Sequence, residues 1–315
     1  MNNDKASNIF LSIIISTFNR ADILNETLEY FSHINLKNLD YELLIIDNNS
    51  SDNTKNIIDR FRNIINVIYY VEKKQGKNFA LNTGLQRAKG DIIIFSDDDI
   101  TPHPQWLTEI INICNRWPEI NIFGGRVVPV FPPGSNPKIT NSYFSDFMFT
   151  KHDPMPHEGI YRDTYPVGPN CWIRRKLIES GEKFNVEMGP IGKGRISGGE
   201  IEFFHRMSNK GEKIVYAPSV IVEHRVRNSQ FEIKYLIKRS FAGGRGWVRI
   251  RDPFNGSIFL FGAPRFLYRL AVEALLSIPI YVATGRNYLE PFLKFFEYAG
   301  CIYEYRCMNK RNFIK

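Results

Sequence analysis

Four short apolar runs recur in the first hundred residues, at 11–15, 41–46, 66–71 and 91–95. They are rich in β-branched and aromatic residues and lack polar alternation, the pattern of strands buried on both faces. Between them the period changes. In "ADILNETLEYFSHI" the residues Ile23, Leu24, Leu28 and Phe31 fall at helical spacing, and "SSDNTKNIIDRF" opens with Ser and Asp suited to capping a helix. This alternation with short connections predicts an α/β fold: a Rossmann-like, mostly parallel, doubly wound sheet flanked by helices. Near residue 120 the pattern turns irregular, and "VVPVFPPGSNPK" begins a loop-like region that runs past residue 160. Order returns in "EIEFFHRMSNKGEKIVYAPSVIVEH", read as a helix and then a strand. The predicted division is a catalytic domain over 1–225 and a helical extension over 226–315.

The fourth run ends in three consecutive acids, Asp97, Asp98 and Asp99. Like charges repel, and such a triplet on a surface is ordinarily a solvated turn. Here it falls at the carboxyl end of a buried strand, where open α/β sheets bind their ligands. The chain has 315 residues, a net charge of +8 and a pI near 9.2. That length holds one large α/β domain with an appendage, and the charge suits an anionic partner: nucleotide, lipid phosphate, membrane surface or nucleic acid. Cysteines at 114, 171, 301 and 307 include no CxxC pair and no His at zinc-ligand spacing, so neither a zinc module nor a disulfide scaffold is expected. The N-terminus lacks the charged head and apolar run of a secretory signal, which gives a cytoplasmic expectation.

The ordered pieces "ISTFNR", "LLIIDNNSSDNT", "QGKNFALNTGLQRAKGDIIIFSDDD", "GGEIEFFHRM" and "VIVEH" resemble the family 2 glycosyltransferases of the glycosyltransferase A fold, over roughly residues 9 to 225. The resemblance implies a metal-dependent, inverting transfer of a sugar from a nucleotide-diphosphate sugar, UDP-sugar foremost. The acceptor would be a hydroxyl of a glycan or lipid-linked molecule, in bacterial surface polysaccharide assembly. Mn²⁺ or Mg²⁺ would be held by Asp99 with Asp97 and His224, Asp97 lying nearer the ribose and Asp98 accompanying the donor. Asp47 would bind the base, though Asp47-Asn48-Asn49-Ser50 is also good turn chemistry. Thr17, Asn19 and Arg20 would wall the nucleotide pocket. Gly76, Lys77, Asn82 and Gly84 would pass beneath the donor, unless the glycines serve turns and helix packing.

An acceptor hydroxyl needs a base. Aligned on the family pattern, Glu200 takes the position where an Asp usually stands, with Glu202 the base if the register shifts by one. The plain alternative is a capping Glu at a helix start. Gly168, Asn170, Trp172 and Glu202 are the candidate acceptor contacts, with Trp172 either stacking on a sugar or filling the core. Arg174 and Arg175 would neutralise a phosphate or decorate a helix. From Arg225 to Arg251 eight Lys or Arg accompany one acid, interleaved with aromatics, yet no nucleic-acid module signature goes with them. "LAVEALLSIPIYVATGR" has twelve uncharged residues between Glu273 and Arg286, too short for a membrane span. The extension either lies on the inner face of the cell membrane or packs on the catalytic domain. Neither a QxxRW motif nor multiple spans mark a processive synthase. A sugar-nucleotide pyrophosphorylase and a non-catalytic glycan- or nucleotide-binding protein are the rival expectations.

Overall fold

The computed structural model describes residues 9–34, 39–142, 144–191, 194–251 and 257–312. Residues 1–8, on which the expectation of no secretory signal rests, lie outside these. The chain forms two compact units: 1–129 with 152–186 and 203–225, and 130–151 with 187–202 and 226–315.

In the first unit β1 (Leu11–Thr17), β2 (Tyr41–Asp47), β3 (Val67–Val71) and β4 (Ile92–Asp97) are linked by α1 (Ala21–His33), α2 (Thr54–Phe61) and α3 (Lys77–Arg87). The strands run parallel in the order β3-β2-β1-β4. Side-chain parity explains the absence of polar alternation in their sequences. Ile13, Ile15, Leu43, Ile45 and Ile94 face a core shared with Leu24, Leu28 and Phe31 of α1. Ile14, Leu44, Ile46, Ile93 and Phe95 face the opposite core, with Ala80, Leu81 and Leu85 of α3. Both faces are dry, so the strand interiors are apolar apart from the buried Ser12 and Glu42, where Ser12 Oγ donates to Glu42 Oε1 at 2.6 Å.

Beyond β4 the sheet changes character. β5 (Ile100–Pro102), β6 (Ile122–Val130), β7 (Gly159–Ile160), β8 (Cys171–Arg174) and β11 (Ile214–Arg225) complete nine strands in the order β4-β8-β6-β11-β5, with β7 also on β11. β8 is antiparallel to β4 and β6, and β5 and β7 are antiparallel to β11. The parallel expectation therefore holds for the first four strands. β6 lies inside the stretch read as irregular, because Gly124, Gly125 and Pro129 break its pattern. Those glycines are steric requirements: a Cβ at Gly124 would stand 2.5 Å from the Tyr161 hydroxyl, and one at Gly125 2.2 Å from Asn170 Nδ2. α4 (Trp106–Arg116) packs on the first core, while α7 (Lys176–Glu179) and Phe203, Phe204 and Met207 of α8 (Gly199–Asn209) pack on the second.

The second unit contains α5 (Pro137–Thr140), α6 (Ser145–Met148), the antiparallel pair β9 (Gly189–Ile191) and β10 (Gly194–Ile196), and three long helices. These are α9 (Ile233–Arg251), α10 (Arg265–Ala283) and α11 (Leu289–Asn312). α9 and α11 meet backbone to backbone. A Cβ on Gly244 would lie 1.9 Å from the Glu297 carbonyl oxygen, and one on Gly300 2.1 Å from that of Phe241. At this crossing Glu304 is 0% exposed and accepts from Arg245 Nε at 2.7 Å and Arg249 Nε at 2.5 Å. Two of the basic residues that suggested an external anion thus serve an internal carboxylate, whose charge requires them.

One buried group of the first unit makes its stability depend on pH. His152 stacks on Tyr161, meets its hydroxyl through Nε2 at 2.7 Å and packs edge-on to Tyr216. Burial pulls its pKa down from 6.5 to about 4, against the pull of Asp153. A histidine depressed in the folded state contributes stability that is complete above pH 6.5 and is lost as pH falls through 4. We expect His152→Gln to flatten the fall in urea-unfolding free energy across that window by up to about 3 kcal/mol. An unchanged slope would assign the acid sensitivity to other groups.

Candidate active site

The three consecutive acids receive three different settings at the end of β4. Asp97 Oδ1 pairs with Lys77 Nζ at 2.6 Å. Asp98 accepts from Thr17 Oγ1 at 2.7 Å and from Arg20 Nη1. Asp99 accepts from Arg20 Nη2 at 2.5 Å, and its Oδ1 lies 3.4 Å from His224 Nε2. One guanidinium therefore bridges two buried carboxylates, a use that suits its planar fork. Burial pushes Asp98 up to about 6 against the pull of Arg20, and the charge of Asp99 adds to the rise. At Asp99 burial is the largest influence, but His224 and Arg20 together override it and hold the carboxyl well below the usual carboxylate range.

Two further residues fix the backbone of this turn. Thr27 Oγ1 donates to the Asp98 carbonyl at 2.7 Å. The Arg225 amide donates to the Asp99 carbonyl at 2.9 Å, while its guanidinium reaches Thr27 Oγ1 at 2.6 Å and Thr101 Oγ1 at 3.0 Å. Neither Thr27 nor Arg225 was expected from sequence. The available signal was a threonine on the apolar face of α1 and an arginine directly after His224, ending the same strand.

The neighbouring loops are stitched together by side chains. Asn19, with φ 49°, donates its amide to Ser50 Oγ and accepts the Ser51 amide on Oδ1, both at 2.8 Å. Asp47 accepts the Ser50 amide at 2.9 Å and the Tyr69 hydroxyl at 2.7 Å, so its turn chemistry is present. Asn48 ties the 72–76 loop down, accepting the Gly76 amide at 2.7 Å and donating to the Lys74 carbonyl at 2.6 Å. Gly76, with φ 140°, starts α3, and Gly84 lets that helix approach β1, since a Cβ there would stand 2.5 Å from Ile14 Cγ2. Asn82 clamps the Phe184 backbone through both ends of its amide, at 2.9 Å each. That reciprocal pair gives Asn82 a structural role.

The expected acceptor residues are largely interior. Trp172 is fully buried and stacked on Phe123 with centroids 5.5 Å apart, so it fills the core and presents no face to a sugar. Asn170, also buried, accepts from Trp106 Nε1 and donates to the Arg126 and Val220 carbonyls, each at 2.9 Å. Gly168 opens the buried 3₁₀ turn before it. Arg174 and Arg175 cover backbone carbonyls, those of Cys114 and Ile120 for Arg174 and of Ala88 and Gly90 for Arg175. Such contacts satisfy the open carbonyls where α4 and α3 end. Glu200 and Glu202 stand half-buried in the first turn of α8, with the Glu202 amide donating to Gly198 O at 2.9 Å. Two residues apart, they point about 200° from each other around the helix.

Among the described residues no group of three or more His, Cys, Asp and Glu side chains converges on one centre. What exists is the Asp99–His224 pair, with Asp97 turned to Lys77 instead. Its 3.4 Å separation is close to the roughly 3 Å between adjacent ligands of an octahedral divalent cation. The pair would suit a divalent cation that takes two protein ligands.

A half-parallel sheet closing on a buried acidic turn and a strand-terminal histidine is the architecture of the glycosyltransferase A fold. The chain belongs to that fold's family 2: the model of glycosyl transferase family 2 matches residues 12–181, more than half its length. It is a glycosyltransferase, and the pyrophosphorylase and simple-binder expectations give way. It is 26% identical over 243 residues to glycosyltransferase AglE of Haloferax volcanii, covering 76% of this chain and 74% of the relative. It is 25% identical over 290 residues, 87% of this chain and 84% of the relative, to a Methanococcus voltae protein. That protein is a dolichyl N-acetyl-alpha-D-glucosaminyl phosphate 3-beta-D-2,3-diacetamido-2,3-dideoxy-beta-D-glucuronosyltransferase. Among solved structures, the mannosyltransferase PcManGT of Pyrobaculum calidifontis, in complex with GDP-Man and Mn²⁺, shares the fold. The match has a TM-score of 0.62 at 16% identity and covers 93% of this chain and 86% of that one.

The Asn82 clamp yields a direct test. Asn82→Ala strands the Phe184 amide and carbonyl, and we expect a loss of about 1–3 kcal/mol in stability with nucleotide-sugar affinity unchanged. Weakened donor binding at full stability, read by calorimetry beside thermal unfolding, would return Asn82 to the donor site.

Proposed function

We propose that the chain is a metal-dependent, non-processive, inverting glycosyltransferase. It moves a sugar from a nucleoside-diphosphate sugar, with UDP the preferred carrier, to a hydroxyl of a lipid-linked or polysaccharide acceptor during surface glycan assembly. The observation that carries the reading is the buried Asp99–His224 pair at the carboxyl end of the sheet. Asp99 and His224 would hold the cation, which when bound offsets negative charge on the diphosphate. A nitrogen ligand favours Mn²⁺ over Mg²⁺, which demands an oxygen shell. Asp97 orients the ribose and Asp47 the base, with Thr17, Asn19 and Arg20 lining the nucleotide pocket. The lipid-linked acceptor is supported by the dolichyl phosphate substrate in the name of the M. voltae relative.

The chemistry is one in-line displacement. The acceptor oxygen bonds to the anomeric carbon, the bond from that carbon to the diphosphate breaks, and the nucleoside diphosphate leaves with the electron pair. Glu200 takes the acceptor proton. Attack from the face opposite the leaving group inverts the anomeric centre without an enzyme nucleophile.

Two outcomes check this. Asp99→Ala should abolish the Mn²⁺ dependence of UDP-sugar binding by calorimetry, and undiminished dependence would overturn the metal assignment. A GDP-sugar arm in the same titration tests the choice of uridine. Glu200→Gln should lower turnover by about 10²- to 10⁴-fold with donor affinity little changed. Glu202→Gln is its control: if that variant alone is inactive, the base is Glu202.

A further inference from the structure

In the second unit α10 is long and apolar enough to cross a membrane by length and composition, yet only 11% of its apolar window is buried. Its inner face is narrow: Leu267, Ala271 and Ala274 turn inward, and Leu267 joins Val248, Cys301 and Tyr305 in a small core. The outward face changes chemistry along its length. It begins with exposed Arg265 and Arg269 and continues through Val272, Leu276 and Ile280, flanked by Leu275 and Val282. Exposed Arg286 follows the helix end, with its guanidinium over the Tyr281 ring. An apolar middle of exposed side chains is thus bracketed by cations at both ends.

A second feature adjoins it. Immediately before α10, β12 (Phe259–Leu260) and β13 (Ala263–Pro264) form a hairpin whose two-residue turn is Phe261–Gly262. Both turn residues have positive φ, 47° and 82°. Turns of this kind select Asn-Gly, and a phenylalanine at the first position is strained. Phe261 is also 77% exposed, so little packing within the chain offsets that strain. It touches Tyr268 edge to face, and Tyr268 stands one helical turn before Val272. The hairpin tip and the α10 stripe are therefore contiguous.

We propose that the Phe261 hairpin and the outward stripe of α10 form a membrane-docking surface, lying in the headgroup layer of a bilayer that carries anionic lipid. Large exposed apolar side chains enter the acyl boundary while Arg265, Arg269 and Arg286 reach the phosphates, the arrangement of an interfacial helix. Charge selects this occupant over a second copy of the chain. From Arg265 to Arg286 three arginines face one acid, Glu273, and a symmetric helix pair would set that excess against itself. A span is disfavoured because Arg269 and Glu273 would enter the hydrocarbon, and the apolar stripe from Val272 to Val282 is about 16 Å long, half a bilayer core. The surface is independent of the transfer chemistry, so its test reads partition rather than turnover.

The full-length protein is sedimented with vesicles of phosphatidylcholine alone, or with about one-third phosphatidylglycerol. Binding to the anionic vesicles, released by alkaline carbonate, is expected. Phe261→Asn should weaken it at least tenfold while leaving the thermal midpoint unchanged or raised, since asparagine suits the turn. The pair Leu276→Asp with Ile280→Asp should do the same at unchanged fold, and Arg265→Gln with Arg269→Gln should weaken binding to anionic vesicles alone. Wild-type protein that stays in the supernatant overturns the proposal, as does binding indifferent to Phe261, Leu276 and Ile280. Resistance to carbonate would instead indicate a span, and a dimer dissolved by the Leu276/Ile280 pair without vesicle binding would make the surface a self-interface.

Discussion

The carboxyl edge of the sheet depends on one guanidinium. Asp98 and Asp99 are adjacent and buried, and in a poorly polarisable interior their mutual repulsion would oppose folding of the turn. Arg20 resolves this by giving one Nη to each. Its own position follows from α1, whose cap it is: the Arg20 carbonyl accepts the Leu24 amide at 2.9 Å, while Asp52 accepts the first helical amide, that of Ala21, at 2.9 Å. Asp52 belongs to the loop after β2, which Asn19 also holds through Ser50 and Ser51. The acids are thus set by a relay from the β2–α2 loop through the start of α1. A change in that loop bears on the carboxylates without touching them.

This relay separates what the sequence discloses from what it hides. The first four strands and the acidic turn are legible because each depends on local composition: dry β-branched runs, then charge where the strand ends. Trp172 is not legible. Its inward direction follows from β8 inserting antiparallel between β4 and β6, with Trp172 opposite Ile94 and Phe123. In "PNCWIRR" the flanking proline and arginines mask a central strand. The structural contacts of Asn82 and Asn170 are hidden for the same reason, since an amide that serves distant backbone has the same letter as one that serves a ligand. Arg174 and Arg175 look like anion binders because the carbonyls they cover belong to helix ends far away in the chain.

The first turn of α8 sets a different limit. Gly198 precedes it with φ 90°, a conformation that disfavours side chains, and a Cβ there would also stand 2.8 Å from Ile250 Cδ1. Gly198 therefore has a backbone reason of its own. Acidic residues at a helix N-terminus are favoured by the exposed amides, so Glu200 and Glu202 suit their positions whether or not either moves a proton. Their opposed directions make the distinction a matter of which side of the helix the acceptor meets.

The basic C-terminal segment shows how burial divides a charge that composition reports only as a sum. Arg245 and Arg249 are turned to Glu304, an acid 59 and 55 residues away in sequence that becomes their partner because Gly244 and Gly300 let α9 and α11 touch. Those cations are neutralised within the unit and add little to its outward field. Arg265, Arg286 and Arg269, the last beside Glu273 at 3.4 Å, project outward instead, next to apolar side chains that the narrow Leu267–Ala271–Ala274 face leaves uncovered. Counting uncharged residues along 274–285 addresses only whether the chain can cross a bilayer. The faces of α10 address whether it can lie on one, and that depends on which third of the helix α11 covers.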